Sequence, residues 1–188
     1  MVELAEKQQD IANLINGEVI DDTDRVAVCI KGKVNGFPAT LEAFMTGWPF
    51  NCTYVVESVL ERDPDRHPED GAKISVLPRM GQGLWGIFTH IFLFEGKGMS
   101  VNDRRLEKKL IFNYDLRDPA LRLIKYPGIA ETLMVLEEDC KLKELILKTN
   151  AGLYMIQGCS FDSLDLDLCS ATFNYMAQVA QVINELFE

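Results

Sequence analysis

The chain has 188 residues, 47% of them hydrophobic, and a mean hydropathy near zero. That content argues against disorder, which needs low hydrophobicity with high charge, and it suffices for one good-sized core, so the chain reads as one domain over residues 1–188, with 1–98 and 99–188 as alternative subdomains. A formal net charge of −10 and a pI of about 4.7 repel phosphate backbones and set nucleic acid aside as a partner.

Residues 2–15 place Leu4, Ile11, Leu14 and Ile15 on one side of a helix, with Glu3, Lys7 and Asp10 away from it. Asn16-Gly17 supplies a stop. Residues 18–24 hold Asp21, Asp22 and Asp24. Three close carboxylates suit a hard cation, but the closing Glu of a calcium loop is missing, and the stretch reads as a solvated connector. Asn35-Gly36 then separates RVAVCIKGKV from FPATLEAFM. Asn-Gly is the favoured pair for a two-residue type I′ turn, because both positions need positive φ. The turn sets Val34 opposite Phe37, Gly32 opposite Ala39, Ile30 opposite Leu41, Val28 opposite Ala43 and Val26 opposite Met45. Each of those pairs is apolar or glycine, while Arg25, Lys31 and Lys33 share the other face with Thr40 and Glu42.

Trp48-Pro49-Phe50 reads as a turn whose rings cover the open end of the sheet. Residues 51–61 read as a third strand with Cys52, Tyr54, Val56 and Leu60 on one face. Residues 62–71 gather Asp63, Asp65, His67, Glu69 and Asp70, a local metal candidate, but their prolines and glycine favour a plain connection. Residues 73–78 look like the fourth strand of an antiparallel meander. In Gly81–Phe94, Leu84, Trp85, Phe88, Ile91 and Phe92 match one helix face, weakened by Gly83 and Gly86. Burial in the core is the plainer reading. If exposed, Trp85, Phe88, Ile91 and Phe92 would form a binding surface. His90 lies off that stripe, without a carboxylate or thiol beside it in sequence to support acid–base work.

Arg104, Arg105, Lys108 and Lys109 form the one basic concentration. They read as a solvated face, as an internal contact with the acidic segment 149–188, or as a contact for an anion or acidic partner. Leu110–Tyr114 reads as a strand. Asp118-Pro119 supplies an N-cap and a first helical proline for a short helix over Pro119–Lys125. Tyr126-Pro127-Gly128 breaks it, and Ile129–Glu138 resumes with Ile129, Leu133 and Leu136 inward. Residues 142–148 and 153–157 flank Thr149–Gly152 as a second hairpin. In the terminal helix Leu168, Ala171, Tyr175, Met176, Val179, Ile183 and Leu186 form an apolar stripe, with Asp165 and Asp167 suited to its N-terminal dipole.

The block Asp103–Tyr114, DRRLEKKLIFNY, leads through Asp118-Pro119 and a helix to the hairpin around Asn150–Gly152. Over about residues 97–158 this order resembles a group of uncharacterised bacterial conserved proteins. They carry a Gly-Asp-Pro-x-Phe-(Asp/Glu)-(Lys/Arg)-x-Phe block before a strand, an Asp-Pro helix and a small hairpin. Glu107 and Lys108 match the charged pair, and Ile111 or Phe112 the following strand. Val101-Asn102-Asp103 replaces Gly-Asp-Pro, and Leu106 stands in for the aromatic. The resemblance implies a bacterial class of unknown function and no site residue.

The expected fold is α+β: an N-terminal helix, an antiparallel meander of about four strands, then a strand, a broken helix, a hairpin and a long terminal helix. Five cysteines without C-x-x-C spacing read as apolar core residues of a reducing, cytoplasmic protein, with no metal and no cofactor. No charged segment followed by an apolar one opens the chain, so no secretory signal is expected. The longest apolar run, Leu84–Phe94, is too short to span a bilayer. A P-loop, a dinucleotide-binding glycine pattern, a G-x-S-x-G elbow, H-E-x-x-H and an EF-hand loop are not expected in this chain. The function expected is therefore a non-catalytic binding or adaptor module with a protein partner or a second copy. The alternative is an enzyme or small-ligand protein with a pocket between sheet and terminal helix, using His90, Tyr114, Arg104 and Asp115.

Overall fold

A computed structural model describes residues 2–20, 28–43, 52–57, 72–79, 99–149 and 151–187. Helix α1 (Val2–Leu14) leads into strands β1 (Glu18–Ile20), β2 (Val28–Val34), β3 (Phe37–Ala43), β4 (Cys52–Glu57) and β5 (Lys73–Pro78). Then come α2 (Arg104–Lys109), β6 (Leu110–Tyr114), α3 (Arg117–Ile124), α4 (Ile129–Glu138), β7 (Leu142–Lys148), β8 (Gly152–Gln157) and the long α5 (Leu166–Phe187). These strands form one sheet in the order β1-β2-β3-β4-β8-β7-β5-β6, antiparallel throughout. The fold is α+β, as expected.

Asn35 (φ 52) and Gly36 (φ 88) both occupy the left-handed region that a type I′ turn requires. The β2–β3 register follows: Val34–Phe37, Gly32–Ala39, Ile30–Leu41 and Val28–Ala43 are partners. Arg25 and the Val26–Met45 pair lie outside the described residues, as do Trp48-Pro49-Phe50 and Leu60. Lys31 and Lys33 are exposed, while Val34, Phe37, Ala39 and Leu41 are buried.

The meander has four strands, but not the four expected. Glu18–Ile20, read as a connector, is a strand paired with Cys29–Lys31. Lys73–Pro78 is a strand, but it pairs with β7 and β6 rather than β4; β8 takes the place beside β4. Turn residues specify a hairpin locally. Pairing between distant strands depends on side-chain packing across the sheet, which a local stretch does not encode.

Asp103 caps α2 by accepting from the backbone N–H groups of Arg105 (2.8 Å) and Leu106 (3.2 Å). Glu107 reaches back to accept from Ser100 Oγ, Val101 N and Asn102 N, and these bonds, the one from Ser100 foremost, hold its carboxyl below the ordinary value. Helix α3 starts at Arg117, earlier than expected, with Leu116 at the N-cap and no side-chain cap. Asp118 and Pro119 thus sit inside its first turn, where a missing N–H costs no helical bond. Gly128 (φ 88) follows the break at Pro127 and opens α4. The inward face of α5 is rotated from the expected stripe. Cys169, Thr172, Phe173, Met176, Val179, Ala180 and Ile183 are buried, whereas Leu168, Ala171, Tyr175 and Leu186 are only partly so. The helix packs on the sheet and also meets α1, α3 and α4, so its covered face is broader than one stripe.

The core lies between these helices and one sheet face. Ile30, Leu41, Tyr54, Val76, Phe112, Leu145 and Met155 point into it from the strands. Val55, Leu77, Ile146, Tyr154 and Ile156 alternate to the opposite face and lie outside that core. No helix among the described residues is long and apolar enough to cross a membrane.

Candidate functional site

Among the described residues, the most polar part of the interior lies where β4, β8 and α5 meet. Strand β8 alternates Leu153, Met155 and Gln157 toward the helices, which puts an amide at a core position. Gln157 is fully buried. Its Oε1 accepts from Tyr54 Oη (2.9 Å) and from Cys159 Sγ (3.0 Å). Its Nε2 donates to the Cys140 carbonyl (2.9 Å) and to Thr172 Oγ1 (3.3 Å), and Thr172 in turn donates to the Leu168 carbonyl. Both donors and both acceptor sites of the amide are thereby used. One side chain ties two strands, the α4–β7 connection and the terminal helix together.

Thiols surround this amide. All five cysteines are buried thiols. Cys52 faces Gln157 across the β4–β8 pairing, and its backbone N–H donates to the Cys159 carbonyl (3.1 Å). The Cys52 and Cys159 side chains also share a hydrogen bond, which pushes the Cys52 thiol up, with burial adding to the rise. The same bond holds Cys159 below an ordinary thiol against its burial, assisted by Lys141 and Lys7 and opposed by Asp165. Burial pushes Cys169 up to about 12 and also raises Tyr54. Tyr54 packs edge-on against Phe173, ring centroids 4.9 Å apart. Sequence reading put Cys52 and Tyr54 on one face but missed Gln157. The available signal was a glutamine in phase with the apolar positions of LYMIQ.

The basic quartet divides in two. Arg105 pairs with Glu131 (2.8 Å), and Lys109 pairs with Glu138 and lies 3.7 Å from Glu137. The internal acidic partner is therefore α4, not segment 149–188. Both are i and i+4 on one short helix, so they project along the same side toward α4. Arg104 and Lys108 are exposed and make no ion pair among the described residues. Because the engaged charges are solvated, an Arg105→Glu/Lys109→Glu variant should melt slightly below wild type at low salt, and the gap should close in molar salt. A gap that persists in high salt, by thermal denaturation, would contradict this account.

Trp85, Phe88, Ile91 and Phe92, together with His90 and the acidic stretches at Asp21–Asp24 and Asp63–Asp70, lie outside the described residues. Residues 81–86, Gly-Gln-Gly-Leu-Trp-Gly, do spell the G-x-G-x-x-G spacing, which corrects the expectation of no dinucleotide-type glycine pattern. The strand ahead of it, β5, is antiparallel to both neighbours, so the parallel βαβ context of that fingerprint is missing. Tyr114 donates to the Ser100 carbonyl, and Asp115 accepts from the backbone of Lys73 and Leu116 at the end of β6. Arg104 is exposed on α2. Among the described residues no group of three metal-ligating side chains comes together. Comparison with family models, curated proteins and solved structures finds no match.

Proposed function

We propose that the chain is a non-catalytic binding or adaptor module that uses the sheet face turned away from its helices to hold a protein partner. What supports this reading is one row of side chains. Val55, Tyr154 and Ile146 are cross-strand neighbours on β4, β8 and β7, continued by Ser75 on β5 and Asn113 on β6. Ile156 and Leu77 flank them. Tyr154 is 37% exposed, and Val55, Ile146, Ile156 and Leu77 are half-buried. An apolar centre with an amphipathic tyrosine is the composition of a contact surface.

Charge selects the partner. Lys31, Lys33, Lys73 and Lys148 lie on this face with Glu18, Glu42, Glu57 and Glu144. The face is therefore balanced in charge on a chain of net charge −10. Two copies at −10 repel at long range, so a less acidic protein with an apolar centre is favoured over a second copy. The five buried thiols fit a reducing compartment such as the cytoplasm. The resemblance over about residues 97–158 is what supports reading the chain as one of a bacterial class without an assigned activity.

The test pairs two baits, the wild-type chain and a Tyr154→Lys/Ile146→Lys variant shown to be folded by circular dichroism. A protein retained by the first and lost from the second, with the free chain monomeric by sedimentation, is the expected result. Identical retention by both baits, or a stable wild-type dimer that the variant dissolves, would overturn the proposed partner.

A further inference from the structure

Two of the buried thiols do more than fill space. Cys52 and Cys159 come from positions far apart in sequence, yet a backbone hydrogen bond joins them (3.1 Å). A bond of this kind holds two Cα atoms within the roughly 4.4–6.8 Å that a disulfide spans. The pair is also asymmetric. Cys159 is 7% exposed, more than any other cysteine, while Cys52 is fully buried. The loop carrying Cys159 is fastened by two lysine residues. Lys7 Nζ donates to the Asp162 carbonyl (2.9 Å) and lies over the Phe161 ring, and the Lys141 carbonyl accepts from Gly158 N (2.9 Å). A thiol nearer the surface, with a second, fully buried thiol behind it, is the arrangement of a reactive cysteine and its resolving partner.

We propose that Cys159 and Cys52 form a reversible oxidation site for hydrogen peroxide, with Cys159 attacking and Cys52 resolving. The Cys159 thiolate attacks one peroxide oxygen. The O–O bond breaks, an S–O bond forms to give a sulfenic acid, and the departing hydroxide takes up a proton as water. Cys52, surrendering its proton, then attacks the sulfenic sulfur. The S–S bond forms, the S–O bond breaks, and a second water leaves. The two thiols lose two electrons and two protons, and the peroxide is reduced to two waters. The consequence reaches the core, because Cys159 then no longer donates to Gln157.

The test treats the reduced, full-length native chain with a few-fold excess of hydrogen peroxide, then alkylates it under denaturing conditions and maps the peptides by mass spectrometry. A Cys52–Cys159 linked peptide is expected, with two of the five thiols lost and both restored by dithiothreitol. In Cys52→Ser a dimedone probe should label Cys159. The wild-type map decides the matter even if that variant fails to fold. Links that join Cys52 to Cys169 or Cys140 instead, oxidation of Cys159 to sulfinic acid with no link, or a Cys159 that stays alkylatable while other thiols react would each overturn the proposal.

Discussion

Replacing Gln157 with leucine is expected to lower unfolding stability by roughly 2–4 kcal/mol, although leucine is apolar and similar in size. The amide sits at a core position that the alternation of β8 would otherwise give to an aliphatic residue. Leucine would leave the Tyr54 hydroxyl and the Cys140 carbonyl without the partners they have now. The Cys169 thiol beside Tyr54 is a weak acceptor and recovers little of that loss. Tyr54→Phe should cost less, about 1 kcal/mol, because Gln157 Oε1 keeps its bond from Cys159. The double variant should be less destabilised than the sum of the two, since removing both partners leaves no orphaned hydroxyl. Urea denaturation at constant slope reads all three. A Gln157→Leu chain within about 0.5 kcal/mol of wild type, the usual range of a neutral surface change, would show that the network is not a structural tie.

What sequence alone made legible was the local chemistry. Asn35-Gly36 specified a turn and, through it, a pairing of side chains along β2 and β3 that the structure repeats residue for residue where described. Ile129–Glu138 and Leu110–Tyr114 likewise followed from periodicity and from Pro127-Gly128. The non-local half was not legible. That β8 and β7 enter between β4 and β5 depends on which faces complement each other after collapse. Arg105 and Lys109 gave no sign that their acids were on α4 rather than in the C-terminal segment, because a charge cluster specifies only the sign of its partner. The thiol pair was hidden for a related reason. Cys52 and Cys159 lack close spacing in sequence, and the β4–β8 pairing alone brings them together.

Gly32→Ala is expected to cost about 3 kcal/mol, at the upper end of what overpacking a core usually costs. The reason lies in how α1 meets the sheet. The chain leaves α1 through Asn16-Gly17, and the Ile15 carbonyl, which has no helical partner there, accepts from Lys33 N (2.6 Å) on β2. That bond draws the end of the helix onto the strand. A Cβ at Gly32 would stand 2.3 Å from the same Ile15 oxygen and 2.8 Å from Gly17 Cα. Both are backbone atoms, so no rotamer change relieves the clash, and either the helix end lifts or the β1–β2 pairing shifts. Gly36→Ala gives the contrast. A Cβ there meets nothing within 4 Å, but φ is +88, so its cost is conformational alone, about 1–2 kcal/mol. The two variants therefore separate close packing from backbone strain. Chemical denaturation should rank wild type above Gly36→Ala, and Gly36→Ala above Gly32→Ala. Amide exchange should show the added loss in Gly32→Ala as faster exchange at Lys33 and across β1, with β7 and β8 unchanged. A Gly32→Ala chain as stable as Gly36→Ala would mean that α1 is not seated on β2 through these backbone atoms.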